Sequence, residues 1–184
     1  MTHQSIHPQE QPTNHGRPDD APFSRLPDDY PAPRGLLPRH FPAMAAQCFF
    51  QGGWGYDQPH ACIVITQDDE VNPGVALDGI SLENLFIHYR IREEIEFAHG
   101  VQYVGMEWQK TGQELFFIKS RPYDKIYVAA TAFSLQDWEF LKNDWESHQG
   151  YKKDPDGYLT HQLLRAERQV AWSETFWFDI TDFL

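Results

Sequence analysis

"SLENLFIHYRIREEIEFAHG", residues 81–100, satisfies two periodicities at once, and the choice between them decides what covers the sheet in this chain. As a strand, Leu85, Ile87, Tyr89, Ile91, Ile95 and Phe97 alternate with a mainly charged set, the period of two expected of a half-buried strand. As a helix, the segment has Ser81 as N-cap, Glu83 near the positive end of the dipole, and His99-Gly100 as a stop. Its apolar residues then form two stripes, with Leu82, Leu85, Phe86 and Tyr89 on one side and Ile87, Ile91 and Ile95 on nearly the opposite one. The caps and the Glu/Arg content favour a helix, sandwiched between layers or against a partner.

Downstream, "VQYVGMEWQK", "QELFFIKS" and "DKIYVAATAF" are strand-like runs separated by Thr111-Gly112 and "RPYD". Separators that short predict hairpins, and hence a three-stranded meander over 101–133. "SLQDWEFLKNDWESHQG" follows as a helix, with Ser134 and Asp137 in an S-x-x-D cap and Gly150 as its end. Leu135, Trp138, Leu141 and Trp145 share about a third of its circumference at 100° per residue and are expected to pack on the sheet. "YLTHQLLRAERQ" predicts a second short helix, and Val170, Trp172, Phe176, Phe178 and Ile180 alternate as a final strand.

Upstream, "AMAAQCFF" and "ACIVIT" flank the glycine-rich turn "QGGWGYDQPH" and predict an antiparallel pair. Nine of the 13 prolines fall in residues 1–42, beside only three aromatics. Such a segment buries little apolar surface against the entropy of ordering it. The chain therefore divides into a Pro-rich arm, 1–42, disordered or loosely draped, and one domain, 43–184. Strands grouped with strands and helices few and late indicate an α+β fold. Its mostly antiparallel sheet of about five to six strands is expected to carry one to three helices on one face.

The net charge is −12, from 15 Lys and Arg against 27 Asp and Glu. Residues 1–42 hold 4 basic and 5 acidic groups, so −11 of it belongs to the rest. A field of that sign repels a phosphate backbone and disfavours nucleic acid. It attracts a basic protein, raising the association rate. Two cysteines, Cys48 and Cys62, make no disulfide framework, and "MTHQSIHPQE" has neither a basic nor an apolar leader region. No apolar run is long enough for a membrane span. A cytoplasmic protein is the expectation.

No motif carries a reaction outright. Gly52, Gly53 and Gly55 lack the following helix and the Lys-Ser/Thr pair of a phosphate loop. Asp57, His60 and Cys62 are the weak catalytic candidates: His60 and Cys62 would share a strand face, with Asp57 near enough to orient the histidine. The nine histidines share no metal-ligand spacing, so neither metal nor cofactor is implied. Acidic clusters remain, with aromatics beside them. Glu93, Glu94 and Glu96, the set Asp137, Glu139, Asp144 and Glu146, and the loop rings Trp54 and Tyr56 are the candidate partner contacts. The composition fits an acidic binding protein that neutralises a basic partner, above all a toxin inhibitor of the bacterial immunity-protein type. A small enzyme using the glycine-rich loop and an adaptor or structural subunit docking through its arm are the alternatives.

Overall fold

The structure, a computed structural model, describes residues 25–43, 45, 48–66, 79–99 and 102–183. The segment with two periodicities is a helix, α2 (Gly79–His99), which begins ahead of Ser81, so Ser81 lies in its first turn. Both stripes are buried, Leu82 and Phe86 of the first and Ile87, Ile91 and Ile95 of the second, and within the first stripe Phe86 and Tyr89 meet different neighbours. On the sheet side Phe86 meets Phe50 at 5.1 Å and Phe178 at 5.4 Å between ring centroids. On the outer side Tyr89 stacks on His40 at 4.3 Å and meets Phe41 edge-on at 5.6 Å. A strand between two layers would press a whole charged face into one of them, whereas the helix sets Arg90 and Glu94 one turn apart as a buried pair.

The outer layer is made by residues assigned above to the arm. Leu26, Leu36 and Leu37 are buried in the core, the latter two on the short helix α1 (Leu36–His40). This described part of the arm packs on the domain, while residues 1–24 lie outside the described ones. It drapes across α2 in turns and buries three leucines as it goes.

Strands β1 (Cys48–Gly52), β2 (Cys62–Thr66), β3 (Tyr103–Ile118), β4 (Arg121–Ser134) and β5 (Val170–Asp179) form one sheet in the order β1-β2-β5-β4-β3. Every pairing is antiparallel except β2 with β5. The chain is thus α+β with a mostly antiparallel sheet. The meander expected over 101–133 is instead one long hairpin. Strand β3 runs through Thr111-Gly112, where a register shift between Lys110 and Gly112 marks a bulge. The reversal falls at Lys119-Ser120, with φ of 50° and 65°, the positive pair of a type I′ turn.

Helices α3 (Leu135–Ser147) and α4 (Pro155–Arg168) join β4 to β5. Ser134 caps α3 by accepting the Asp137 N–H at 3.1 Å, as the S-x-x-D pattern predicts. Phe133 alternates with Ala132 and stands outside the main core. Trp138 packs on its ring at 5.7 Å and the Arg165 guanidinium lies 5.1 Å from it. The expected apolar stripe of α3 is used only in its middle, for Leu141 is buried while Leu135 and Trp145 are exposed.

One buried cation ties these layers together. The fully buried Arg90 donates from Nη1 to the Trp54 carbonyl at 3.0 Å and from Nη2 to the Thr175 carbonyl at 3.1 Å. Glu174 lies 3.2 Å from Nη2 and Glu94 3.4 Å from Nε, and the guanidinium carbon sits 3.4 Å from the Phe176 ring centroid. Removing one side of such a network leaves buried charge unpaired, at a cost of about 3–5 kcal/mol. Urea unfolding of Arg90→Ala should show a loss of that size. Arg92→Ala, which breaks only the exposed pair with Glu96 at 2.7 Å, should stay within about 0.5 kcal/mol of the parent.

Candidate functional site

The glycine-rich segment is a structural loop between β1 and β2. Gly52 and Gly55 both adopt φ of 73°, open to glycine at no steric cost. At Gly55 a Cβ would come within 3.0 Å of the Trp177 carbonyl, and the Gly55 carbonyl accepts the Trp177 N–H at 2.9 Å. The loop thereby serves as an extra length of strand along β5. Of the catalytic candidates, Asp57 and His60 are brought together: Nδ1 of His60 lies 2.7 Å from Oδ1 of Asp57, and Asp57 also accepts the His60 backbone N–H at 3.0 Å. Although its slight burial works the other way, these bonds hold the Asp57 carboxyl below its ordinary range. With Arg25 the pair borders a cavity of about 250 Å³. Cys62 does not join them as a nucleophile. It is fully buried, and burial followed by the charge of Glu83 raises its thiol well above the usual value, so thiolate is suppressed.

Four of the candidate partner contacts are spent inside the protein. Glu93 is buried, receives Arg39 Nη1 at 2.6 Å and accepts from the Tyr30 hydroxyl. Burial first, then the bond to Glu93, pushes the Tyr30 phenol up to about 12. Glu94 is buried, and Oε1 accepts the Tyr56 hydroxyl at 2.6 Å, while that same oxygen of Tyr56 accepts the Leu26 N–H at 2.8 Å. Burial first, then Glu94, raises the Tyr56 phenol. Trp54 is buried beneath Tyr30. These groups fasten the N-terminal layer to α2 and the loop, so they are corrected from contact residues to internal ties. Glu96 stays exposed beside Arg92.

The acidic set on α3 is differently placed. Glu139 is exposed, and Glu146 is exposed with only Lys142 facing it at 3.8 Å. Asp137 pairs with Arg168 at 2.6 Å. Asp144 accepts from the Tyr151 hydroxyl and from Nδ1 of His161, both at 2.6 Å, and these two bonds hold its carboxyl below the ordinary range. Around these acids the α3–α4 hairpin leaves Leu135, Phe140, Trp145, Tyr158, Leu159 and Leu163 exposed. Leu159 and Leu163, 60% and 74% exposed, lie one helical turn apart on the outer side of α4. This is the largest gathering of exposed apolar side chains among the described residues.

Sequence reasoning missed three groups. Glu83, placed above only as a favourable charge at the helix start, is buried with Asp124, which accepts from the Gln113 amide. Burial, then the charge of Asp124, raises the Glu83 carboxyl to about 7, and burial raises Asp124. His161, left aside for want of metal spacing, is a buried histidine oriented by Asp144. Burial of Glu83 and Asp124 depends on how α2 lies on β4, which no local pattern encodes. The i, i+17 pairing of Asp144 with His161 needs the helical hairpin to form.

Among the described residues no group of three or more His, Cys, Asp or Glu is arranged to hold a metal ion. No helix among them is long and apolar enough to cross a membrane. No family model, curated protein or solved structure matches the chain.

Two measurements check this geometry. Cys62 should resist iodoacetamide in native protein and react only in denaturant, as mass spectrometry of the labelled peptide would show. The second is pH dependence. A folded value for Glu83 raised above its unfolded 4.5 to about 7 contributes stability that is present below about pH 4.5 and is lost as pH rises through 7. Glu83→Gln should therefore match the parent at pH 4 and exceed it by about 3 kcal/mol at pH 8.5 in urea titrations.

Proposed function

We propose that this chain is a cytoplasmic binding protein that neutralises a basic protein, of the immunity type that inhibits a bacterial toxin, and that it docks through the α3–α4 hairpin. The carrying observation is the exposure of Leu159 and Leu163 on the outer side of α4, with Trp145 and Tyr158 also exposed on the hairpin and the exposed carboxylates of Glu139 and Glu146 on the neighbouring helix. An apolar patch rimmed by charge is the usual anatomy of a protein contact. The net charge of −12 favours a basic occupant. The four carboxylates of residues 67–78, Asp68, Asp69, Glu70 and Asp78, add to that field.

A second reading rests on the Asp57–His60 pair at the cavity bordered by Arg25: an acid–base enzyme at the loop. It now lacks the thiol that would have served as nucleophile. Placing residues from Leu26 onward in the packed body weakens the adaptor reading, which needed a free arm.

The test is capture from lysate of the source organism at low salt with the parent and a Leu159→Glu/Leu163→Glu variant side by side, followed by reconstitution with the purified partner. The reading predicts a basic protein, toxic alone and harmless with this chain, whose affinity falls about 100-fold in the double variant. Glu139→Lys/Glu146→Lys should mainly slow association, with a reduced salt dependence. A partner that binds both forms alike, or an affinity indifferent to salt, would refute docking through α3–α4. A His60→Ala protein that keeps full neutralisation separates this reading from the enzyme.

A further inference from the structure

We infer that the cavity between α3 and α4 is a binding site for a small aromatic carboxylate carrying a ring hydroxyl or N–H. Its volume is about 280 Å³, at the lower end of ligand pockets and suited to one ring system. Trp138, Trp145 and the buried Leu141 make apolar walls, and Lys142, Arg165 and His161 supply the polar ones. Two tryptophans among the lining residues favour an aromatic ring over an aliphatic chain.

Two cations border this cavity in a protein that is otherwise strongly acidic. Lys142 Nζ stands 3.8 Å from Glu146 and Arg165 Nη2 3.7 Å from Glu107. Both separations exceed a hydrogen bond, so those carboxylates attract the cations without occupying their N–H donors. The Arg165 guanidinium carbon lies 5.1 Å from the Phe133 ring centroid, a contact that restrains a side chain whose fork suits a carboxylate.

The histidine supplies the second half of the recognition. His161 is 6% exposed and its Nδ1 faces Oδ2 of Asp144 at 2.6 Å. Asp144, bonded also by Tyr151, accepts from Nδ1, so the tautomer this geometry sets carries its proton on Nδ1 and presents Nε2 as the acceptor toward a ligand. A hydroxyl or ring N–H on the ligand would donate to Nε2 while the carboxylate meets Lys142 and Arg165. A bare anion would leave that acceptor unmet.

The site shares Trp145 with the docking surface proposed above but not Leu159 and Leu163, so the two readings are separated by variants on the outer side of α4. The experiment is calorimetric titration of the full chain with 4-hydroxybenzoate, benzoate and 4-hydroxybenzamide, with the His161 ring resonances followed by NMR. The inference predicts saturable binding of 4-hydroxybenzoate that shifts His161 and not His60. Benzoate, lacking the donor, and the amide, lacking the charge, should each bind about tenfold more weakly or worse. Lys142→Glu, at a side chain 60% exposed, should keep the parent's Tm and lose at least about tenfold for 4-hydroxybenzoate, while Leu159→Glu/Leu163→Glu should retain it. Equal binding of the acid and its amide, indifference to Lys142→Glu, or no binding at millimolar concentration would overturn it.

Discussion

The Arg90 guanidinium joins three stretches of chain that are far apart in sequence: the glycine-rich loop through the Trp54 carbonyl, β5 through the Thr175 carbonyl, and its own helix through Glu94. Taking a cation out of water is costly unless its hydrogen bonds and its charge are both met inside. Here two carbonyls and Glu174 take the Nη donors and Phe176 offers an aromatic face, while Nε, which makes no hydrogen bond, has its charge met by Glu94 at 3.4 Å. That requirement fixes how α2 lies on the sheet, because a small rotation of the helix would strand the charge. It also fixes the loop, which must bring Trp54 and Gly55 alongside β5, and Gly55 is the residue that permits the approach. The outer layer follows in turn, since Tyr56 bonds both Glu94 and the backbone at Leu26.

This arrangement redistributes the acidity that the composition advertises. Glu93, Glu94 and Glu174 serve the interior, so the helix α2 is much less negative to a partner than its sequence. Among the described residues, Glu139 and Glu146 on α3 face solvent on the same hairpin that carries the exposed rings and leucines. The molecule thus has a tightly tied half, built from the N-terminal layer, α2 and the sheet. Its other part, the α3–α4 hairpin, is anchored through Phe133, Trp138 and Leu141 and leaves its outer side open.

Local chemistry in the sequence was legible wherever a short-range rule decided the outcome. The cap at Ser134, the alternation of Trp172, Phe176 and Phe178, and the glycine-rich turn joining an antiparallel β1 and β2 all appear as expected. Where two rules competed, the losing one misled. Thr111-Gly112 has turn chemistry, yet the strand continues through it, because a bulge satisfies the same residues without ending the pairing with β4. The site suffered most. Whether a glutamate faces a partner or an arginine depends on which elements meet, and neither Arg90 with Glu174 nor Asp144 with His161 is a local pair.

Carboxyl footprinting of the native protein, with carbodiimide-activated amine labelling read residue by residue in a mass spectrometer, tests the division between spent and available acids most directly. The account predicts that Glu93 and Glu94 label slowly, at the pace of global unfolding, while Glu139 and Glu146 label at the rate of an unstructured peptide. Rapid labelling of Glu93 and Glu94 alongside Glu139 would contradict it, for those carboxylates would then face solvent and the Arg90 network would not be the constraint that orders the fold.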